Sequence, residues 1–388
     1  MPILNRAHEM QAEVADWRRH LHMHPELMYD VHQTAAFVAG KLRAFGCDEV
    51  VTGIGRTGVV GIINGGKGEG ETLGFRADMD ALPIREETGK DHASTVEGHM
   101  HACGHDGHSA MLLGAAQYLA ETRNFAGRVA VIFQPAEEGG GGGDAMVRDG
   151  MMEKFGIDRV YGMHNMPGLP VGEFAIRAGG FFAATDEFII RIDGRGGHAA
   201  MPDKAIDPIM IGAQIVSALQ TITSRNANPI QPLVVSVTKF NAGSAFNVIP
   251  QSAEIGGTAR SLSKENRELA EARIKAVATG LASAHGAIAE VKWHRGYPVM
   301  VNDAAEAEVA AERAGQVAGA HAVHTDFRPT MGGEDFAYML EARPGAMILI
   351  GNGDTAGLHN PKYDFNDEII PLGISYWAAL AESNTARG

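Results

Sequence analysis

Only two cysteines, Cys47 and Cys103, occur among the 388 residues of this chain. So few exclude a disulfide-built scaffold and suit a reducing compartment. Basic side chains are also scarce: Lys and Arg number 33 against 47 Asp and Glu, a formal charge of −14. That balance argues against a nucleic-acid partner or an anionic membrane surface. No apolar run approaches the ~20 residues of a membrane-spanning helix. The opening Met1-Pro2-Ile3-Leu4-Asn5-Arg6 lacks the apolar core of a secretion signal, so the cytoplasm is the expected location. Aromatic residues make up 6% with three Trp, too few to outline a binding pocket. Hydrophobic residues at 45% and charged residues at 21% are close to the globular average, which excludes disorder, coiled coil and collagen.

Two residue types are abundant. The 49 glycines in 388 residues are nearly double the usual share of about 7%. There are 17 histidines, and what matters is whether they cluster.

Helical patterns cover about 7–23 and 32–46. From about 50 to 180, buried-type strand runs (58–63, 72–75, 129–133, 159–163) alternate with a helix over 106–122, for which Asp106 is the expected N-cap. Such alternation predicts an α/β domain with a largely parallel central sheet. Near Gly179-Gly180 the pattern changes to strand 186–193, helix 207–224, strands 232–240 and 251–260, helix 264–285 and strand 288–294. This β-α-β-β-α-β order predicts a smaller α+β, ferredoxin-like domain inserted in the first. The α/β pattern then resumes with a helix at 303–319, a strand at 346–350 and a final helix at 372–384. The expected division is a discontinuous catalytic domain of residues 1–183 and 295–388 around an insert of residues 184–294.

Five segments carry chemistry, four just after a predicted strand and one opening a helix, where open parallel sheets place ligands. Arg76–Pro83 holds Asp78 and Asp80, whose i, i+2 spacing directs both acids one way. His101–His108 gathers three histidines, Cys103 and Asp106, and thiolate and imidazole are preferred ligands of Zn²⁺ and similar cations. Gln134–Gly143 holds Glu137-Glu138, adjacent carboxylates of which one can ligate a metal while the other carries protons. Its glycine run is no phosphate loop, since no Gly-Lys-Ser/Thr follows. His164 closes a strand in Gly162–Pro167, and His359 follows another in Gly357–Pro361. Either histidine alone reads as structural; together with a cysteine, a histidine and a glutamate from the two preceding segments they make a good two-metal ligand set.

The order of these motifs resembles the M20 metallopeptidase clan, in particular its amidohydrolases: hippurate hydrolases, N-acyl-amino-acid deacylases and auxin-conjugate hydrolases. The matching stretches are Leu21–Leu27, Arg76–Pro83, Met100–His108, Gln134–Gly140, Gly196–Pro202, Asn247–Pro250, Gly257–Arg260, Met331–Phe336 and Leu358–Pro361. The resemblance implies a zinc-peptidase-like catalytic domain carrying a lid and dimerisation domain, with two divalent ions (Zn, Mn, Co or Ni) per subunit. By the same resemblance Cys103, His105, Glu138, His164 and His359 are the ligands. Glu137 is the general base and acid, and Asp80 orients or tunes the site. His198 of the insert stabilises the oxyanion, in cis or from a neighbouring subunit, while Asn247 and Arg260 meet the substrate. A homodimer or homotetramer through the insert is implied as well. The chain departs from the usual pattern at Gly333, where Ser is frequent, at Met28–His32, where Glu is frequent, and at Asp203, where His is common. These departures bear on substrate preference and leave every implied ligand in place.

The expected reaction is hydrolysis of an N-acyl amino acid to a carboxylic acid and a free amino acid. A dipeptidase or aminoacylase of the same clan is the near alternative. A Cys103 nucleophile with His105 or His108 as base would leave Glu137, Glu138, His164 and His359 without roles. A non-catalytic acyl-amino-acid binding protein would leave Glu137 without one.

Overall fold

The computed structural model describes residues 4–384. The chain divides into two compact units. Within the described residues, the larger runs up to Gly179 and takes in Val301–Arg328 and the chain from Asp335 onward; the smaller comprises Gly180–Met300 and Pro329–Glu334.

The larger unit is built on an eight-stranded sheet. At its centre Arg128–Gln134, Thr72–Asp78, Arg159–Pro167 and Gly345–Gly353 lie side by side in that order, all parallel. Thr72–Asp78 is buried at every position and the other three nearly so. Burial on both faces is why these strands read as unbroken apolar runs without alternation. The flanks turn the sheet mixed. Glu49–Ile54 and Gly58–Asn64 form an antiparallel hairpin, and the second of these runs antiparallel to Arg128–Gln134. The short strand Phe174–Ala175 is antiparallel to Gly345–Gly353 on the other side.

The helix His105–Thr122 packs against Asn5–Met23 and Ile370–Glu382. Its Met111, Leu112, Ala115 and Leu119 are fully buried, the face anticipated from their spacing. Trp377 stacks on Phe75 at 4.9 Å and joins helix Ile370–Glu382 to the sheet. Asp106 is not the N-cap of its helix. Gly104 takes that place at φ +88°, and Asp106 sits in the first turn, where it binds His22 and Arg18 instead of its own backbone.

The smaller unit holds a four-stranded antiparallel sheet in the order Leu233–Ala242, Ser252–Ser261, Ala184–Asp193, Ile288–Arg295. In sequence numbering that is 2-3-1-4, the arrangement of the split β-α-β ferredoxin-like motif. Ala184–Asp193 buries every second residue, so Phe188, Ile190 and Ile192 face a core completed by Ile211, Ile215 and Leu219 of helix Pro208–Thr221 and Ile274 of helix Lys264–Ala284. Both helices start as sequence would dictate. Asp207 caps the first, with Pro208 following, and Ser263 caps the second.

Candidate metal centre

The parallel strands end where the chemistry-bearing residues begin. Asp78 closes Thr72–Asp78, Glu137 and Glu138 follow Arg128–Gln134, and His164 lies within Arg159–Pro167. Beyond Gly345–Gly353, His359 takes φ +62° and its backbone N–H donates to the Ala102 carbonyl at 2.8 Å, which carries its loop back to the Cys103 segment. Ala136, just ahead of the glutamates, is also left-handed at φ +54°. Two non-glycine residues in this sparsely populated region beside one cluster mark backbone held to shape by its surroundings.

Donor atoms converge here in five overlapping groups, two of which, Asp78 with His105 and His108 and Glu137 with Glu334 and Asp335, reach into the neighbouring Arg76 network. In the other three, one ligand atom from each of Cys103, His105 and His164 lies within 4.8 Å of the others, as do Cys103, Glu138 and His359, and His105, Glu137 and Glu138. Cys103, His105 and Glu138 each belong to two of these three, so the sets form one continuous cluster. Cys103 Sγ is 3.5 Å from His164 Nε2. Two ligands each ~2.0–2.3 Å from one tetrahedral ion are themselves about 3.3–3.8 Å apart, so this spacing suits a common cation.

The orientation of each donor is fixed from behind. His105 Nδ1 donates to the Asp80 carbonyl at 2.7 Å, leaving Nε2 to face inward. That Nε2 is buried without a hydrogen-bond partner, with carboxylate oxygens of Asp78, Glu138 and Glu137 at 3.7, 3.9 and 4.0 Å. His164 Nδ1 likewise donates to a carbonyl, that of Asn165, at 2.6 Å. Glu138 Oε1 is buried without a hydrogen-bonding partner, and His359 Nε2 lies 3.3 Å away. The Asp80 carboxylate accepts the backbone N–H groups of Glu137 and Glu138 at 2.9 and 3.1 Å. Asp80 therefore holds His105 with its main chain and the glutamate loop with its side chain. A buried imidazole nitrogen and a buried carboxylate oxygen left open amid soft and hard donors fit divalent cations.

Electrostatics agree with that fit. Burial keeps His164 well below the usual imidazole range, neutral as a ligand must be. Cys103 and the Glu138 carboxylate beside it raise His359 to about 10. Burial lowers His105, yet the charges of Asp78 and Cys103 outweigh it and hold the imidazole well above 6.5. Burial pushes the Cys103 thiol up. In the metal-free protein, protons thus occupy the positions that cations would take on displacing them.

The histidine-rich segment is divided three ways. His105 joins Cys103 in the donor cluster. His108 does not: its Nδ1 donates to Asp78 Oδ1 at 2.7 Å, and its Nε2 accepts the Asn165 backbone N–H at 2.9 Å. With both nitrogens engaged, His108 cannot serve Cys103 as a base. His101 is buried among His22, Asp106 and Arg18, and burial lowers it to about 3. Sequence reasoning missed Asn165 and the His22–Asp106 pair altogether. The only pointers were Leu21–Leu27 among the motifs and Asn165 following His164.

The remaining expected site residues lie in the smaller unit. His198 and Asn247 are neighbours: Gly197–His198 pairs with Val248–Ile249, and Ala199 N–H donates to the Asn247 carbonyl at 3.0 Å. Both side chains are exposed. Arg260 sits on the strand Ser252–Ser261, half-buried, donating to the Thr258 hydroxyl and to the Ala259 carbonyl at 3.1 Å.

Comparison with known proteins agrees with this geometry. A Campylobacter jejuni protein named hippurate hydrolase is 42% identical over 373 residues, covering 96% of this chain and 97% of its own. A Bacillus subtilis N-acetyl-L-cysteine deacetylase is 40% identical over 369 residues, 95% of this chain and 87% of its own. Among solved structures, a B. subtilis protein described as a dinuclear metal-binding peptidase of the M20 family superposes with a TM-score of 0.85 at 35% identity, covering 97% of this chain and 98% of its own. The model of peptidase family M20/M25/M40 matches residues 74–383, and the chain belongs to that family.

Proposed function

We propose that this protein is a metal-dependent amidohydrolase that cleaves N-acyl amino acids to a carboxylic acid and a free amino acid. One observation carries the reading: a buried donor cluster in which His105 Nε2 and Glu138 Oε1 lack hydrogen-bond partners, with a second carboxylate, Glu137, 4.0 Å from His105 Nε2. Relatives named for hippurate, N-acetylcysteine and indole-acetic-acid amino-acid conjugates support the substrate class. Their identities of 42, 40 and 38% are too close for similarity to choose the acyl group.

Cys103, His105, Glu138, His164 and His359 would hold two divalent ions. When bound, the ions polarise the scissile carbonyl and ease deprotonation of the attacking water. Glu137 takes that proton and returns it to the departing nitrogen as the C–N bond breaks. The hydrogen bond to Asp80 keeps the Glu137 backbone in place throughout. His198 donates to the carbonyl oxygen as negative charge grows there, from its own or a neighbouring subunit, and Asn247 helps to position the acyl group. Arg260 pairs with the substrate carboxylate through charge-assisted hydrogen bonds. The thiol-nucleophile reading has little support: Cys103 is buried, its thiol is raised, and His108 has no free nitrogen.

A homodimer through the smaller unit completes the proposal. The edge strand Leu233–Ala242 of that unit's sheet exposes Val234 and Phe240, and Phe246 beyond it is fully exposed. An unpaired edge with apolar side chains invites a second strand. The cytoplasm remains the proposed location, consistent with two free cysteines and with no described helix long and apolar enough to cross a membrane.

The test is a panel of N-acetyl, N-benzoyl and dipeptide substrates, reading amine release from chelator-stripped protein before and after reloading with Zn²⁺, Mn²⁺, Co²⁺ or Ni²⁺. Metal-restored release from acyl amino acids is expected. Release that survives stripping would return the reaction to the thiol.

A further inference from the structure

Five buried residues outside the donor cluster form a single hydrogen-bonded chain. Arg76 donates to Asp78 Oδ2 at 2.6 Å and His108 Nδ1 donates to Asp78 Oδ1 at 2.7 Å. That bond makes His108 Nε2 an acceptor, and it receives the Asn165 backbone N–H at 2.9 Å and the Asn165 side-chain amide at 3.0 Å. The same Asn165 Nδ2 donates to the Cys103 carbonyl at 2.6 Å, and Asn165 Oδ1 accepts the Tyr363 hydroxyl at 2.8 Å. The bonding pattern fixes which way the amide points: nitrogen toward two acceptors, oxygen toward a donor.

Those bonds reach three separate pieces of chain. Asn165 itself follows His164, its amide grips the Cys103 segment, and Tyr363 ends the loop that carries His359. Gly104 shows how closely the pieces meet, since a Cβ there would overlap both the Asn165 amide and the Tyr363 hydroxyl. The residue between Cys103 and His105 must be glycine for Asn165 to close the junction. Asn165 and Tyr363 touch no proposed reacting atom. What they fix is the separation of Cys103, His164 and His359.

We propose that Asn165, locked by Tyr363, is a positioning residue that sets the affinity of this site for its metal ions by holding these three ligand-bearing segments in register. The inference rests on the metal-centre reading above, and its test separates the two. Wild-type, Tyr363→Phe and Asn165→Asp proteins are stripped, then titrated with Co²⁺ against a competing chelator at fixed pH. The thiolate-to-cobalt absorption band is followed, together with the melting temperature of each metal-free protein. Outer partners of metal ligands typically change affinity 10–100-fold. Y363F is therefore expected to weaken Co²⁺ binding about 10-fold and N165D about 100-fold, with a weakened or shifted thiolate band.

A role in stability alone would lower the metal-free melting temperature and leave both affinity and band as in the wild type. That result overturns the inference while sparing the metal centre. Wild-type protein that binds no Co²⁺ removes both. Should N165D fail to fold, Y363F, which keeps the buried ring, decides by the same criteria.

Discussion

Two buried polar clusters meet in the larger unit, where His105 Nε2 lies 3.7 Å from Asp78 Oδ2, and they use similar side chains to opposite ends. In one, Arg76, Asp78, Gln134, His108, Asn165, Tyr363 and Asp335 exchange hydrogen bonds until each polar side-chain group has a partner. In the other, His105 Nε2 and Glu138 Oε1 have none. A buried polar group without a partner costs about 1–3 kcal/mol, and amid a cluster of donor side chains a bound cation supplies the missing interaction. Histidine or carboxylate alone does not tell site from scaffold. What the lone pairs face does.

The largest expected effect lies on the open side. Glu137→Gln should lower turnover by roughly 10³-fold or more, within the 10²–10⁴ range of a general base, while bound metal is unchanged. Stopped assays together with metal analysis of the same sample decide it, and near-normal turnover removes Glu137 from its role. The closed side should respond in the opposite currency. Asp78→Ala leaves Arg76, itself buried, short of its closest carboxylate, which typically costs about 3–5 kcal/mol. Urea unfolding of the metal-free variant checks this. A loss under ~1 kcal/mol would mean that Asp335 and Gln134 suffice for Arg76.

This contrast also explains what could be read from the sequence. The cluster around Cys103, His105, Glu138, His164 and His359 was legible because thiol, imidazole and carboxylate are a short list of donor types and here they gather near strand ends, while the resemblance to the M20 clan singled out these five. Asp80 was legible only as an orienting acid; that it uses its carbonyl on one partner and its carboxylate on another is a matter of backbone geometry. Asn165 gave no signal beyond its place after His164, since its partners lie 57, 62 and 198 residues away in sequence. Asp106 looked like a helix cap because capping is a local rule, and His22, 84 residues earlier, outcompeted the local bond. The sheet was expected to be largely parallel from strand–helix alternation. The four central strands obey, while the hairpin of Glu49–Ile54 with Gly58–Asn64 turns over too tightly for a helix to intervene and so adds antiparallel pairs.

The His22–Asp106 pair gives a pH test of intermediate size. Burial alone would lower the His22 imidazole, but the Asp106 and Glu86 carboxylates outweigh it and raise the group to about 9, from 6.5 when unfolded. A folded-state pKa above the unfolded value gives stability that is complete below pH 6.5 and is lost as pH rises through about 9. The shift corresponds to at most about 3 kcal/mol. His105 and His359 are raised as well and contribute to the same alkaline loss in metal-free protein. The comparison is therefore between wild type and His22→Gln: the variant should be less stable at pH 6, and the gap should close by pH 10. A gap independent of pH would mean that His22 stabilises the fold by packing and not by charge.

The smallest effect isolates scaffold from site most cleanly. Ser109 lies one residue beyond His108 on the helix that opens with His105, and its hydroxyl donates to the Asp78 carbonyl at 2.7 Å. The bond ties helix to strand inside the closed cluster yet reaches no donor of the open one. Removing it by Ser109→Ala takes away one neutral hydrogen bond in a buried setting, worth about 1 kcal/mol, and leaves no bulky void. Unfolding of the metal-free variant should show that loss, while Co²⁺ affinity and turnover remain those of the wild type. If affinity instead falls with so small a change, the two clusters are one mechanical unit. The boundary drawn between Asp78 and His105 would then have to move outward to include the helix itself.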